Sequence, residues 1–225
     1  SGENYRRSLK AGTDAGLKGK SRLSLRPEGT AGVVRAVVQH NLVEQGATPA
    51  KLYYAGPMFR AERPQKGRLR EFHQIGAECL GSTEPTADAE MIIMLVRFYE
   101  KMGIPASDMT LYVNSMGDER CRPAYRAMVR DHILSHAEEC RRRADANPLR
   151  AFDCKNAACA HVMASAPRIT DHLCDDCRSH YEAVKSYLDV AGIAYEEDPT
   201  LVRGLDYYTR TVFEVQSNAI DAAQN

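Results

Sequence analysis

The chain has 225 residues, enough to bury a real core in one large domain or in a domain carrying a small insert. Lysine plus arginine and aspartate plus glutamate number thirty each, so no overall field draws nucleic acid or a membrane surface, and any anion site must be local. No apolar run reaches bilayer length and the N-terminus holds no apolar signal core, which reads as a cytoplasmic protein without a membrane partner; an odd seven cysteines then argue for reduced thiols or a metal site rather than a disulfide framework.

Residues 1–22 are rich in Gly, Ser and Lys with no apolar period and read as a flexible stub. After a tight RPEGT turn, the stretch TAGVVRAVVQHNL at 30–42 places Val33, Val34, Val37 and Val38 on one side at helical spacing, with Thr30 as its expected cap. Segments 52–59 and 70–80 read as two antiparallel strands joined by a basic loop. A helix follows over 86–102, with Ile92, Ile93, Val96 and Tyr99 as its apolar stripe and Gly103 as its stop. The next elements are a short strand at 110–114, a charged helix over 123–146, a cysteine-bearing stretch at 150–180, a helix at 178–190 and a β-rich end. Sheet pieces at both ends of a helical middle predict an α+β fold, an antiparallel β-sheet with flanking helices and an inserted, mainly helical subdomain. The expected boundaries put the sheet-bearing core at 23–118 and 193–225 and the insertion, with its cysteines, at 119–192.

The loop between the two strands carries five cationic side chains and one acid in the eleven residues from Arg60 to Arg70. Arginine offers planar bidentate donors and keeps its charge, so Arg60, Arg63, Arg68 and Arg70 suit a polyphosphate better than a single carboxylate. No GxxxxGK[ST] motif occurs, so a bound nucleotide would rely on a side-chain clamp in place of backbone amides. Phe72, just past the loop, suits stacking on a purine face. Gln74 and Glu78 lie four apart in a strand and so share a face, where a buried acid needs a partner. The competing reading is a solvated charged loop.

Cys154 and Cys159 in CKNAAC, and Cys174 and Cys177 in CDDC after fourteen intervening residues, have the paired spacing of a structural zinc site with four thiolate ligands. His161 and His172 are spare ligands, and Cys79, Cys121 and Cys140 read as isolated thiols. The alternative is four unrelated buried thiols.

Three stretches in order, LRPEGTAG at 25–32, GPMFRAERPQKGRLREFHQIGAECLG at 56–81 and LVRGLDYYTRTVFE at 201–214, resemble histidyl-tRNA synthetase, a class II aminoacyl-tRNA synthetase. The middle one resembles the family's ATP-holding motif 2 and the last its histidine-specific signature peptide. The resemblance implies a histidine–tRNA ligase with histidine, ATP and tRNA(His) as partners, Mg2+ accompanying ATP, and a homodimer in the full-length protein. By resemblance, Arg60 grips the α-phosphate and the attacking carboxylate, Glu62 accepts from the adenine amino group, Phe72 stacks on adenine and Arg68 reaches the distal phosphates. Glu28, Thr30 and Gln74 hold the α-ammonium of histidine, and Glu78 and Tyr208 take its imidazole nitrogens, with Tyr207 beside them. Arg203 stabilises charge at the α-phosphate.

Each residue also has a plainer reading: Glu28 as a helix-entry carboxylate, Arg203 as the partner of Asp206 at a turn, Tyr207 as a strand residue with its ring in the core. The family's motif 1, motif 3 and anticodon-reading domain find no counterpart in this sequence, which is therefore expected to be a fragment of the catalytic domain. Two rivals stand beside the ligase: a non-aminoacylating regulatory subunit of histidine biosynthesis with the same fold, and a zinc-bearing binding module.

Overall fold

The structure is a computed structural model that describes residues 24–43, 49–65, 67–136, 147–152, 154, 156–203 and 208–217. The stub expected at 1–22, the second half of the helix expected over 123–146 and Tyr207 lie outside the described residues. The chain divides into two compact units, one over 1–83 with 220–225 and one over 84–219.

In the first unit, helix α1 (Thr30–His40) is followed by strands β1 (Ala50–Phe59) and β2 (Glu71–Leu80). The two strands form an antiparallel pair with Leu52 opposite Glu78, Gly56 opposite Gln74 and Met58 opposite Phe72. Side chains alternate along a strand, so Leu52, Tyr54 and Met58 share one face with Phe72, Gln74 and Glu78, while Tyr53 and Ile75 point the other way and are exposed. Met58 is fully buried on the shared face.

Two glycines let that face close. A Cβ on Gly76 or on Gly29, just before α1, would strike the Tyr54 ring, so one aromatic side chain fills the space above both backbones. The expected helix at 30–42 is present, but its cap differs. Gly29 is the N-cap, and the Glu28 carboxylate accepts from the Ala31 N–H at 3.1 and 3.2 Å. Thr30 falls inside the first turn, which frees its hydroxyl for a different partner.

The second unit contains α2 (Pro85–Lys101), β3 (Met109–Ser115), α3 (Arg122–His136), α4 (Ala157–Ala164), α5 (Asp175–Val190), β4 (Glu196–Glu197) and β5 (Thr211–Ser217). β3 lies at the centre of a three-stranded sheet, antiparallel to β5 and parallel to the two-residue β4. The sheet is thus mixed rather than wholly antiparallel. The described residues between β3 and β4 carry α3, α4 and α5, in keeping with the long connection that a parallel pair demands.

α2 contributes Ala89, Ile92 and Val96 to the core, α5 contributes Cys177, Tyr181, Val184 and Leu188, and β3 contributes Leu111 and Val113. Burial pushes the Tyr125 and Tyr181 hydroxyls far above the ordinary tyrosine pKa, and both find carbonyls, at Pro167 and Val113. No helix among the described residues is long and apolar enough to cross a membrane.

Leu188 and Val190 sit on the same helix with opposite burial, 0 % and 85 % exposed. Leu188→Ala is expected to lower unfolding free energy by about 2–4 kcal/mol, while Val190→Ala changes it by less than about 0.5 kcal/mol, both read from urea denaturation of the folded protein.

Candidate substrate site and metal-ligand cluster

The first unit draws three separated pieces of sequence onto the inner face of β1 and β2. The Arg26 guanidinium donates to the Pro57 carbonyl at 2.8 Å, Phe59 N–H donates to the Arg26 carbonyl at 2.8 Å, and Arg60 Nε donates to the Pro27 carbonyl at 3.0 Å. These bonds lay the turn before α1 along the end of β1. From α1 the Thr30 hydroxyl then reaches β2 and donates to Glu78 Oε1 at 2.7 Å. Further along the same face of β2, the Oε1 of Gln74 is buried and has no hydrogen-bond partner. An amide oxygen in that state costs free energy until a donor reaches it.

The basic loop folds back on itself. Arg60 N–H donates to the Arg70 carbonyl at 2.9 Å, and Gln65 and Arg68 exchange backbone hydrogen bonds at 3.1 and 2.8 Å. Arg60 lies over the Phe72 ring with its guanidinium carbon 4.7 Å from the centroid, a cation–π pair. Arg70 Nε donates to the Glu62 carbonyl at 3.1 Å, and Arg68 Nε stands 3.8 Å from the Glu62 carboxylate. Glu62 is half-buried, while Arg60, Arg63, Arg68 and Arg70 are exposed, so the cations are presented to solvent around a fixed aromatic ring.

Of the residues expected to bind substrates, Thr30 and Glu78 are thus in direct contact, Gln74 and Phe72 share their strand face, and Glu28 serves the entry of α1. Arg203 and Tyr208 belong to the second unit. The Arg203 guanidinium donates to the Phe213 carbonyl at 3.0 Å and stands 3.5 Å from the Glu214 carboxylate. Tyr208 is 38 % exposed. Its carbonyl accepts from Arg122, which sequence reasoning passed over. Arg122 is buried, and its guanidinium also donates to the carbonyls of Met116 and Gly117, both at 3.1 Å. One fork of donors therefore ties the start of α3 and the end of β3 to the strand that follows 201–208. Its signal in the sequence was an arginine directly before Pro123, at a helix entry where a basic residue is poorly placed for the helix dipole.

The cysteines do not group as their spacing implied. Among the described residues, the set whose ligand atoms all lie within 4.8 Å of one another is Asp118, Cys121, Cys174 and Cys177. Cys154 and Cys159 stand outside it, and Cys159 is disulfide-bonded and has no thiolate to offer. Cys121, expected to be isolated, belongs to the cluster. The correction has a simple cause: sequence spacing finds pairs, and folding decides which pairs meet. C-x-x-C at 174–177 meets D-x-x-C at 118–121, a pair that a search for cysteines alone does not see. The Arg120 guanidinium on the Asp118 carboxylate holds its pKa far below the usual range, and the Cys177 N–H pulls the Cys174 thiol down.

Set against known proteins, the chain matches the family model described as histidyl-tRNA synthetase over residues 2–223. It is 48 % identical over 207 residues to the histidine–tRNA ligase of Anaeromyxobacter dehalogenans, covering 90 % of this chain and 49 % of that protein. It is 50 % identical over 206 residues to the ligase of Solibacter usitatus, covering 90 % and 49 %. The apo histidyl-tRNA synthetase of Staphylococcus aureus superimposes with a TM-score of 0.68 at 40 % identity, covering 88 % of this chain and 46 % of that one.

A Bacillus halodurans structure described as an ATP phosphoribosyltransferase regulatory subunit/histidyl-tRNA synthetase superimposes with a TM-score of 0.55 at 21 % identity, over 88 % and 55 % of the two chains, and shows a shared fold. The fold is that of a class II aminoacyl-tRNA synthetase. Within that class the chain belongs to the histidyl-tRNA synthetase family. It spans about half the length of the curated relatives it matches.

If Arg122 organises this junction, Arg122→Ala strips three carbonyls of a charged donor. The expected result is a loss of about 2–4 kcal/mol in stability, with faster amide exchange around 208–212 and unchanged exchange in β1 and β2, measured by hydrogen–deuterium exchange.

Proposed function

We propose that the protein carrying this chain activates histidine with ATP and transfers it to the 3′ end of tRNA(His). The observation that carries this reading is the inner face of β1 and β2. There a carboxylate already bonded to Thr30, a buried amide oxygen lacking a donor, and an aromatic ring capped by a guanidinium line one strand. The Gln74 oxygen wants an N–H donor, and an α-ammonium supplies one. Glu78 retains acceptor capacity beyond its bond to Thr30, as an imidazole N–H requires.

In the proposed reaction a histidine carboxylate oxygen attacks the α-phosphorus of ATP, the bond to pyrophosphate breaks, and histidyl-adenylate forms. A terminal ribose hydroxyl of tRNA(His) then attacks the acyl carbon and AMP leaves. ATP enters as its magnesium complex, so Mg2+ is part of the substrate. Arg60 would meet the α-phosphate and the attacking carboxylate, Arg68 the distal phosphates, Glu62 the adenine amino group and Phe72 the adenine face. Arg203 would act on charge at the α-phosphate, and Tyr208, with Tyr207 beside it, on the imidazole; the signature peptide supports both roles. Residues 119–192 would be an insertion into the catalytic core, and the full-length protein a cytoplasmic homodimer.

The regulatory-subunit reading draws on one fold-level neighbour, and the same experiment separates it: ATP–pyrophosphate exchange by the full-length protein with each amino acid in turn. Exchange with histidine alone is expected; no exchange with any amino acid refutes the ligase. Arg203→Ala should lower the exchange rate about 10²–10³-fold while histidine affinity shifts less than about threefold, because an interaction made in the transition state leaves ground-state binding intact. Equal losses in rate and affinity would make Arg203 a ground-state ligand.

A further inference from the structure

We infer that Asp118, Cys121, Cys174 and Cys177 form a mononuclear tetrahedral zinc site that joins the turn between β3 and α3 to the first turn of α5.

The geometry is that of a ligand shell. Ligands about 2.3 Å from a tetrahedral centre stand about 3.8 Å apart. Here Asp118 Oδ1 lies 3.7 Å from Cys121 Sγ and 3.8 Å from Cys174 Sγ, and all four ligand atoms fall within 4.8 Å of one another. The three sulfurs are free thiols, so no disulfide already accounts for their approach. Cys177 is fully buried, Cys121 nearly so, and the other two are half-buried, which keeps water from completing the shell.

The surroundings orient each ligand. Asp118 is gripped by Arg120, whose backbone N–H donates to Oδ1 at 2.9 Å and whose side chain donates to Oδ2 at 3.1 and 2.8 Å. Oδ2 is thereby occupied and Oδ1 is turned toward the sulfurs. The other end of Arg120 donates to Asp176 in α5 at 2.6 Å, fixing the guanidinium between the two ligand pairs. Outer partners of this kind hold metal ligands in register. Asp118 N–H donates to Cys121 Sγ at 3.3 Å, so the turn bends around its own thiol.

Gly117 makes that bend possible, with φ +59° and a hypothetical Cβ only 2.6 Å from Cys121 Sγ. Cys174 and Cys177 come from the N-terminal turn of α5, where free N–H groups favour thiolates. Three sulfurs and one carboxylate select a soft, borderline d¹⁰ ion over Mg2+ or Ca2+, which require oxygen shells. All four positions are filled by the protein, which makes the site structural rather than catalytic.

The test is metal content of the full-length protein purified without chelator, with X-ray absorption at the zinc edge. About one zinc per chain is expected, with three sulfurs near ~2.3 Å and one oxygen near ~2.0 Å. Asp118→Cys should convert that shell to four sulfurs, Cys174→Ser should remove most of the zinc, and Cys154→Ser should leave it in place. Less than about half an equivalent of zinc in the unaltered protein overturns the site. So does zinc that follows Cys154 in place of Cys174, or a shell unchanged by Asp118→Cys. Should Cys174→Ser fail to fold, the Asp118→Cys spectrum alone decides the question.

Discussion

The register of β1 against β2 is the constraint on which the candidate substrate face depends. Because side chains alternate across a strand, Phe72, Gln74 and Glu78 face inward together or not at all. A slip of one residue would turn the three outward and bury Ile75 and His73 instead. Several independent contacts oppose that slip. Tyr54 fits over the two glycines only in this pairing, Met58 fills the buried end, and the Thr30 hydroxyl reaches Glu78 from α1. Arg26 and Arg60 fasten the preceding turn to the same strand from both directions.

The elements themselves were legible in the sequence where their period was strong. The helix expected at 86–102 is found at Pro85–Lys101, and the two strands flanking the basic loop are found with the loop between them. The entry to α1 lies one residue earlier than the helical period suggests, because Thr30 is a good cap residue by type and only the position of Glu78, distant in sequence, draws its hydroxyl elsewhere. Likewise the cation at Arg60 was visible, but not that it rests on Phe72. That pairing depends on strand geometry across the loop, which composition does not report.

The cysteine cluster shows the same limit more sharply. CxxC is a local pattern, and its second pair can come from any part of the chain that folding brings near. CKNAAC was the nearest candidate in sequence, and its Cys154 and Cys159 stand outside the cluster in space. The partner in space includes an aspartate, at the exit of a strand, where acids are common for reasons unconnected with metals. Arg122 was missed for a related reason. Its partners are all main-chain carbonyls, and backbone acceptors leave no trace in a residue pattern.

The stacking of Arg60 on Phe72 has a consequence for how this surface would meet a charged ligand. A free arginine side chain samples many rotamers, and fixing it on a ligand forfeits about 2 kcal/mol of that freedom. Against the ring and the Pro27 carbonyl, much of this ordering has been completed before any ligand arrives. The uncharged phenyl group would thus contribute to binding of an anionic ligand through entropy. It turns a mobile cation into a preset one, in a loop that is otherwise exposed.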